Sequence, residues 1–266
     1  MERRTEIGWG DEIIACGQAR ALWAKDKRRV IIRDRHNRPR HHPLWSRIPY
    51  IVQGAENVYK PHEIVNGPGV RPYIAAKSEK QWTWKEWDCP LGEIRFFPVE
   101  LDFSAARSPG VIIEPTNKAK ASPNKAWGRE RWMALIAMMN RQGMQPTQLG
   151  PVGTQVYPGV RFIETPDFRY ACAVMAKAPG AVLPEGGLHH AAAVLNVPSV
   201  VIFGGYISPR QTGYASQMNL FTGGEPCGMR VPCDHCARAM AEIEPEMVFR
   251  EIEKICSMTP ATPQVA

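Results

Sequence analysis

No stretch of this 266-residue sequence stays apolar for long. None approaches the roughly 18 residues that a membrane-spanning helix needs, so a transmembrane protein is not expected. The first residues, Met1-Glu2-Arg3-Arg4-Thr5-Glu6-Ile7, lack the apolar core of a secretory leader. A soluble cytoplasmic protein is therefore the expectation. An even cysteine count is missing too: there are seven. That argues against a complete disulfide framework and for a reducing compartment. Cys16, Cys89 and Cys172 stand singly in or near apolar context and read as structural. Internal repeats and low-complexity tracts are absent, which sets solenoid architectures aside. Acidic residues are outnumbered, 26 against 33 lysines and arginines, for a formal charge of +7. This favours an anionic partner, whether nucleic acid, phosphorylated glycolipid or membrane surface, and does not choose among them.

What is present is an ordinary globular composition, 44% hydrophobic, at a length for one large domain or two small ones. Gly8-Trp9-Gly10 reads as a tight turn before a helix that carries Ile13, Ile14, Ala21 and Leu22 on one face. Asp11 stands near its start, where a carboxylate complements the helix dipole. Val30-Ile31-Ile32 reads as a buried strand leading into a basic loop with Arg33, Arg35, Arg38 and Arg40. Short strands are expected at 49–52, 71–75 and 93–97, in a span crowded with Trp, Pro and charge. From Gly110 the pattern becomes regular. Strands at 111–113, 145–149, 181–183 and 199–203 alternate with helices at 129–142, 168–177 and after 187, and an amphipathic helix follows at 244–255. That alternation predicts βαβ units and a parallel sheet. The expected division is 1–107 and 108–256, joined by a linker at 104–109, with a tail at 257–266.

The run Leu183-Pro184-Glu185-Gly186-Gly187-Leu188-His189-His190 is the most informative. Glycines at a helix start let a ligand approach the backbone, and free N–H groups there favour a phosphate. Two other pieces precede it: Gly8-Trp9-Gly10-Asp11, and Asn124-Lys125-Ala126-Trp127 followed by Arg129-Glu130-Arg131-Trp132. In this order and spacing the three resemble the heptosyltransferase-like glycosyltransferases of family 9. The resemblance covers residues 108–256 and, in the first half, roughly 7–35.

It implies an α/β fold of the GT-B type, two Rossmann-like domains facing a cleft, here with the N-terminal one reduced. It also implies an inverting glycosyltransferase that moves a sugar from a nucleotide-diphosphate sugar to a hydroxyl acceptor. A phosphorylated saccharide or lipid of the lipopolysaccharide type is the favoured acceptor, with peripheral membrane contact allowed. Asp11 matches the family's proposed general base, a carboxylate that takes the acceptor hydroxyl proton. Gly10 leaves room for substrate beside it, and Arg33, Arg35 and Arg38 are the expected acceptor-side cations. Lys125 matches the lysine at the donor phosphates, where a cation stabilises the leaving diphosphate; Lys118 and Lys120 lie in the same loop. Gly186, Gly187, Leu188 and His190 match the donor-binding motif, with Glu185 and Gly186 standing where the family has aspartate and serine. That departure leaves the donor unnamed. Leu149-Gly150 and Thr165-Pro166-Asp167 match the positions that line the nucleotide.

No metal or other cofactor is expected, because Lys125 and the helix dipole can carry the phosphate charge. Cys227, Cys233 and Cys236, with His235 or Cys256, have partial zinc-site character; reduced, packed thiols are the preferred reading. Two alternatives stay open: a DNA glycosyltransferase acting on a hydroxylated base, using the same basic loop, and a non-catalytic nucleic-acid-binding protein on the same fold.

Overall fold

The computed structural model of the chain describes residues 8–53, 56–67, 70–116 and 122–258. In chain order the elements are α1 (Trp9–Asp26), β1 (Val30–Arg33), β2 (His62–Val65), β3 (Ile74–Lys77), β4 (Trp82–Trp84), α2 (Pro98–Ala105), β5 (Val111–Ile113) and α3 (Arg129–Arg141). There follow β6 (Pro146–Gly150), β7 (Arg161–Glu164), α4 (Phe168–Met175), β8 (Ala181–Pro184), α5 (Gly187–Val194) and β9 (Ser199–Ile202). The last are α6 (Pro209–Thr212), β10 (Met218–Leu220), α7 (Asp234–Glu242) and α8 (Pro245–Met258).

The α/β expectation holds. Six parallel strands form one sheet in the order β10-β9-β8-β5-β6-β7. The chain starts in the middle at β5, winds outward to β7, then returns to β8 and winds to the other edge. This doubly wound order places a topological switch between β5 and β8, where ligands of open α/β sheets bind at the carboxyl ends. β8 and β9 are buried along their whole length, as strands covered on both faces must be. Side-chain alternation divides the core. Ile112, Ala181 and Leu183 face α1, α4 and α5, while Val111, Ile113, Val182, Val200 and Ile202 face α3 and α8. Helix α3 stops as expected: Gly143 has φ +71°, the left-handed region that glycine enters without penalty.

The first half departs further from expectation. Only β1 and β2 pair in parallel, with Ile51 bridging Val30 beside them, and β3 and β4 form a separate antiparallel hairpin. Strands expected at 49–52 and 93–97 do not form, and the one at 71–75 begins only at Ile74. Pro49 and Pro72 remove the ladder N–H groups at the first and the last. The expected turn at Gly8-Trp9-Gly10 is instead the first turn of α1, closed by the Glu12 amide on the Gly8 carbonyl at 3.3 Å.

Gly10 is glycine for a different reason, close approach. A Cβ there would lie 2.7 Å from His190 Cδ2 and 3.4 Å from Gly187 Cα. Thus the beginnings of α1 and α5 touch. Ser104 belongs to α2 rather than to the expected linker, and residues 257 and 258 of the expected tail continue α8. Lys118 and Lys120, and the tail from residue 259, lie outside the described residues.

Candidate active site

At the carboxyl end of β8 the chain turns into α5 through Glu185 and Gly186. Glu185 is 6% exposed, and its carboxylate meets the Lys125 ammonium and accepts from Thr212 Oγ1 at 3.3 Å. Burial pushes this carboxyl up, but the Lys125 ammonium, by its charge and its hydrogen bond, outweighs burial and holds the group below its ordinary range. The Gly186 N–H donates to His189 Nδ1 at 2.9 Å. That leaves the proton on His189 Nε2, which donates to the Thr212 carbonyl at 2.9 Å. His189 is therefore a neutral, fixed brace for the turn. The Gly186 amide, expected to serve a phosphate, is committed to it.

His190 is buried and kept neutral, its pKa driven well below normal by desolvation above all, with the Lys125 cation adding to it. Cys89 Sγ donates to the Tyr214 hydroxyl at 3.4 Å, and that hydroxyl meets His190 Nδ1 at 2.9 Å. The other edge of the ring faces Gly10. Leu188 packs into the core beside α1 and α4 rather than lining the site.

Lys125 ends a short 3-10 turn, Pro123–Lys125, which Ser122 Oγ caps by accepting from the Asn124 amide at 3.3 Å. The turn is pinned by Asn124. Its Nδ2 donates to the Met229 and Val231 carbonyls at 2.6 and 2.7 Å, and its Oδ1 accepts from the Cys233 amide at 3.2 Å. Trp127 and Trp132 anchor the next residues in the core, ring centroids 5.0 Å apart and edge to face.

Asp11 is gripped from the segment before β3. Arg71 Nε donates to Oδ1 at 2.5 Å, Arg71 Nη2 to Oδ2 at 2.6 Å, and the Tyr73 hydroxyl to Oδ1 at 3.1 Å. Burial works against the Arg71 cation, but Asp11 more than compensates, so the guanidinium is held protonated. Asp11 is close enough to Glu185 that its charge opposes ionisation there. Next to it, Glu12 is fully buried. It receives Arg40 Nη2 at 2.5 Å and Asn66 Nδ2 at 2.8 Å; its pKa is raised, by desolvation above all.

Gly10, Asp11, Lys125, Glu185, Gly186, Gly187 and His190 thus converge. The acceptor-side arginines do not join them. Arg33 pairs with Glu63 at 2.5 Å, Arg38 with Asp34 at 2.7 Å, and Arg35 Nε donates to His36 Nε2 at 3.1 Å. Arg40, from the same basic loop, is spoken for by Glu12. The residues that sequence reasoning missed are Arg71, Tyr73, Thr212 and Tyr214. For the last two a signal existed: Ser208-Pro209-Arg210-Gln211-Thr212-Gly213-Tyr214 follows β9, at the carboxyl edge of the strand beside β8.

Among the described residues, two groups have donor atoms close enough to ligate a metal. In Glu185, His189 and His190 the donors are mostly engaged, by Lys125, Gly186 and the Thr212 carbonyl. The other is Cys227, Cys233 and Cys236, with Cys227 Sγ at 3.7 Å from Cys233 Sγ and 3.2 Å from Cys236 Sγ. Cys256 is no part of it; that thiol packs near Gly180, among the residues between α3 and α8. His235 Nε2 donates to the Gly223 carbonyl, 2.8 Å away.

No protein-family model matches the chain, and no curated protein does. Among solved structures the chain is similar to the E. coli ADP-heptose lipopolysaccharide heptosyltransferase II, at 16% identity and a TM-score of 0.47, over 64% of this chain and 55% of that one. It is similar to the dodecameric iron-containing heptosyltransferase TibC in complex with ADP-D-beta-D-heptose, at 15% and 0.46, over 66% and 49%. A glycosyl transferase of family 9 from Veillonella parvula DSM 2008 gives 14% and 0.46, over 63% and 54%. The chain therefore spans about half the length of the structures it is similar to.

Proposed function

We propose that the chain is an inverting glycosyltransferase that uses a nucleotide-diphosphate sugar as donor and a hydroxyl group as acceptor. The observation that carries this reading is the meeting of Asp11 with the Lys125–Glu185 pair and the start of α5, at the switch point of the sheet. A carboxylate for proton removal and a cation for a leaving phosphate then share one site.

Oδ1 of Asp11 already accepts two bonds, from Arg71 and Tyr73, while Oδ2 accepts one. Oδ2 is therefore the oxygen with a lone pair for the acceptor. The acceptor O–H proton passes to it as the acceptor oxygen bonds to the anomeric carbon. The bond from that carbon to the donor phosphate breaks, and its electron pair leaves on the nucleoside diphosphate. Lys125 and the α5 N-terminus meet the charge that develops there, and we propose that no metal is required. The acceptor class we favour is a phosphorylated saccharide or lipid headgroup. Modification of a nucleic acid is less favoured, since Arg33, Arg38 and Arg40 are neutralised by carboxylates. Seven free thiols fit a reducing compartment such as the cytoplasm.

A thermal-shift screen against ADP-, UDP- and GDP-sugars tests the donor, because a ligand that binds the folded state raises its stability. Turnover of the stabilising donor, lost in Asp11→Ala, tests the reaction. If no sugar nucleotide binds, the enzyme reading falls and a binding protein on this fold takes its place.

A further inference from the structure

Tyr206 lies where several charges meet. Lys125 Nζ is 5.3 Å from its ring centroid, and Glu185, Arg71 and Arg230 all act on its phenol. Two of the three cations are neutralised, Arg71 by Asp11 and Lys125 by Glu185. Arg230 has no carboxylate partner among the described residues. Nor does the Tyr206 hydroxyl have a hydrogen-bond partner among them, although the residue is 4% exposed.

The position of Arg230 is set firmly by its backbone. Its amide donates to the Lys80 carbonyl at 2.8 Å, and the Trp82 amide donates to the Gly228 carbonyl at 3.0 Å. Asn124 holds the carbonyls on both sides, Met229 and Val231, so the segment that presents Arg230 also presents Lys125. The guanidinium is steered by Trp82. Arg230 Cζ lies 5.0 Å from that ring and Arg71 Cζ 5.7 Å from the same ring. A guanidinium held by an indole is oriented while its N–H groups stay available.

We infer that Arg230, with the Tyr206 hydroxyl beside it, is a binding residue for the donor's diphosphate. The inference rests on reading the Lys125–Glu185 corner as the donor-phosphate site. An anion that takes Lys125 or Arg71 must compete with a carboxylate already there. Arg230 offers an uncompensated charge on a rigid segment, and its fork matches phosphate oxygens. It attracts the anion before Lys125 exchanges partners.

Inorganic pyrophosphate is the probe, titrated calorimetrically into the full chain at low and moderate salt. Arg230→Ala weakens binding about tenfold or more, the worth of a charge-assisted bond, and makes it less salt-dependent. Tyr206→Phe weakens it less. Arg250→Ala, which removes the same charge from the exposed face of α8, leaves it within about twofold. If Lys125→Ala abolishes binding and Arg230→Ala behaves like Arg250→Ala, Arg230 has no such role and the phosphate-site reading survives. If the unmodified chain binds neither pyrophosphate nor any sugar nucleotide, both fall.

Discussion

Arg71 holds Asp11 with two side-by-side bonds, Nε to Oδ1 and Nη2 to Oδ2, across 60 residues of sequence. The pair is mostly buried, 13% and 15% exposed. Asp11→Asn therefore has two effects. Loss of the general base lowers kcat by about 10²–10⁴-fold, and an unpaired buried guanidinium costs about 3–5 kcal/mol of stability. The double variant Asp11→Asn with Arg71→Met recovers most of the stability and none of the turnover. Urea unfolding and single-turnover rates separate the two; recovery of activity in the double variant would rule Asp11 out as base.

Lys125 and Glu185 form the second such pair. Lys125→Met leaves a carboxylate at 6% exposure without its cation, and stability falls by about 3–5 kcal/mol. Adding Glu185→Gln restores much of the loss. Donor binding does not return in the double variant, because the cation is still missing. If chelation of divalent metals abolishes transfer in the unmodified chain, Lys125 does not suffice for the leaving phosphate.

Acid is expected to destabilise the fold before its carboxylates titrate. His42, His189 and His190 are buried with lowered pKa values, His42 at about 3, chiefly through desolvation. The unfolded chain binds these protons from about pH 6.5 downward, and the folded chain does not. Their contribution is complete above pH 6.5 and is lost as pH falls toward the folded values. The slope reaches about 1.4 kcal/mol per pH unit for each histidine. Denaturant midpoints between pH 7.5 and 5 measure this; a flat profile would show that these rings take up protons as readily in the fold as in the unfolded chain.

Gly228 is expected to tolerate no side chain. Its φ is +64°, and a Cβ would lie 1.7 Å from the Trp82 carbonyl oxygen. Gly228→Ala costs about 2–4 kcal/mol from strain and displacement. Hydrogen exchange at the Trp82 and Arg230 amides, both bonded across this contact, should quicken before the sheet amides do. Unchanged exchange there would mean that the contact is not what holds the two segments.

The second half was legible because its information is local. The buried runs at Val111, Ala181 and Ser199 and the apolar face of α3 each declare an element, and their alternation dictates the sheet. Lys125 and Glu185 could be named from their motifs, though not as partners of each other. The first half hides its structure in distant pairs. Nothing near Arg71 points to Asp11, and Arg40 looks like one more cation of a basic loop until Glu12 is seen buried against it. Two neighbouring acids, Asp11 and Glu12, look alike in sequence. Helical geometry turns one toward Arg71 and Tyr73 and the other toward Arg40 and Asn66.

Gly10 and Gly187 bring the first turns of α1 and α5 into contact. Each turn carries about half a positive charge on its exposed amides, so like ends are pressed together as two magnets might be held pole to pole. Asp11 and Glu12 offset the end of α1, but the first turn of α5 contains no acid of its own. At this junction helix packing thus works against helix electrostatics. An anion lodged there would act as mortar between them, and the grip of one helix on the other would then depend on what the protein has bound as well as on its sequence.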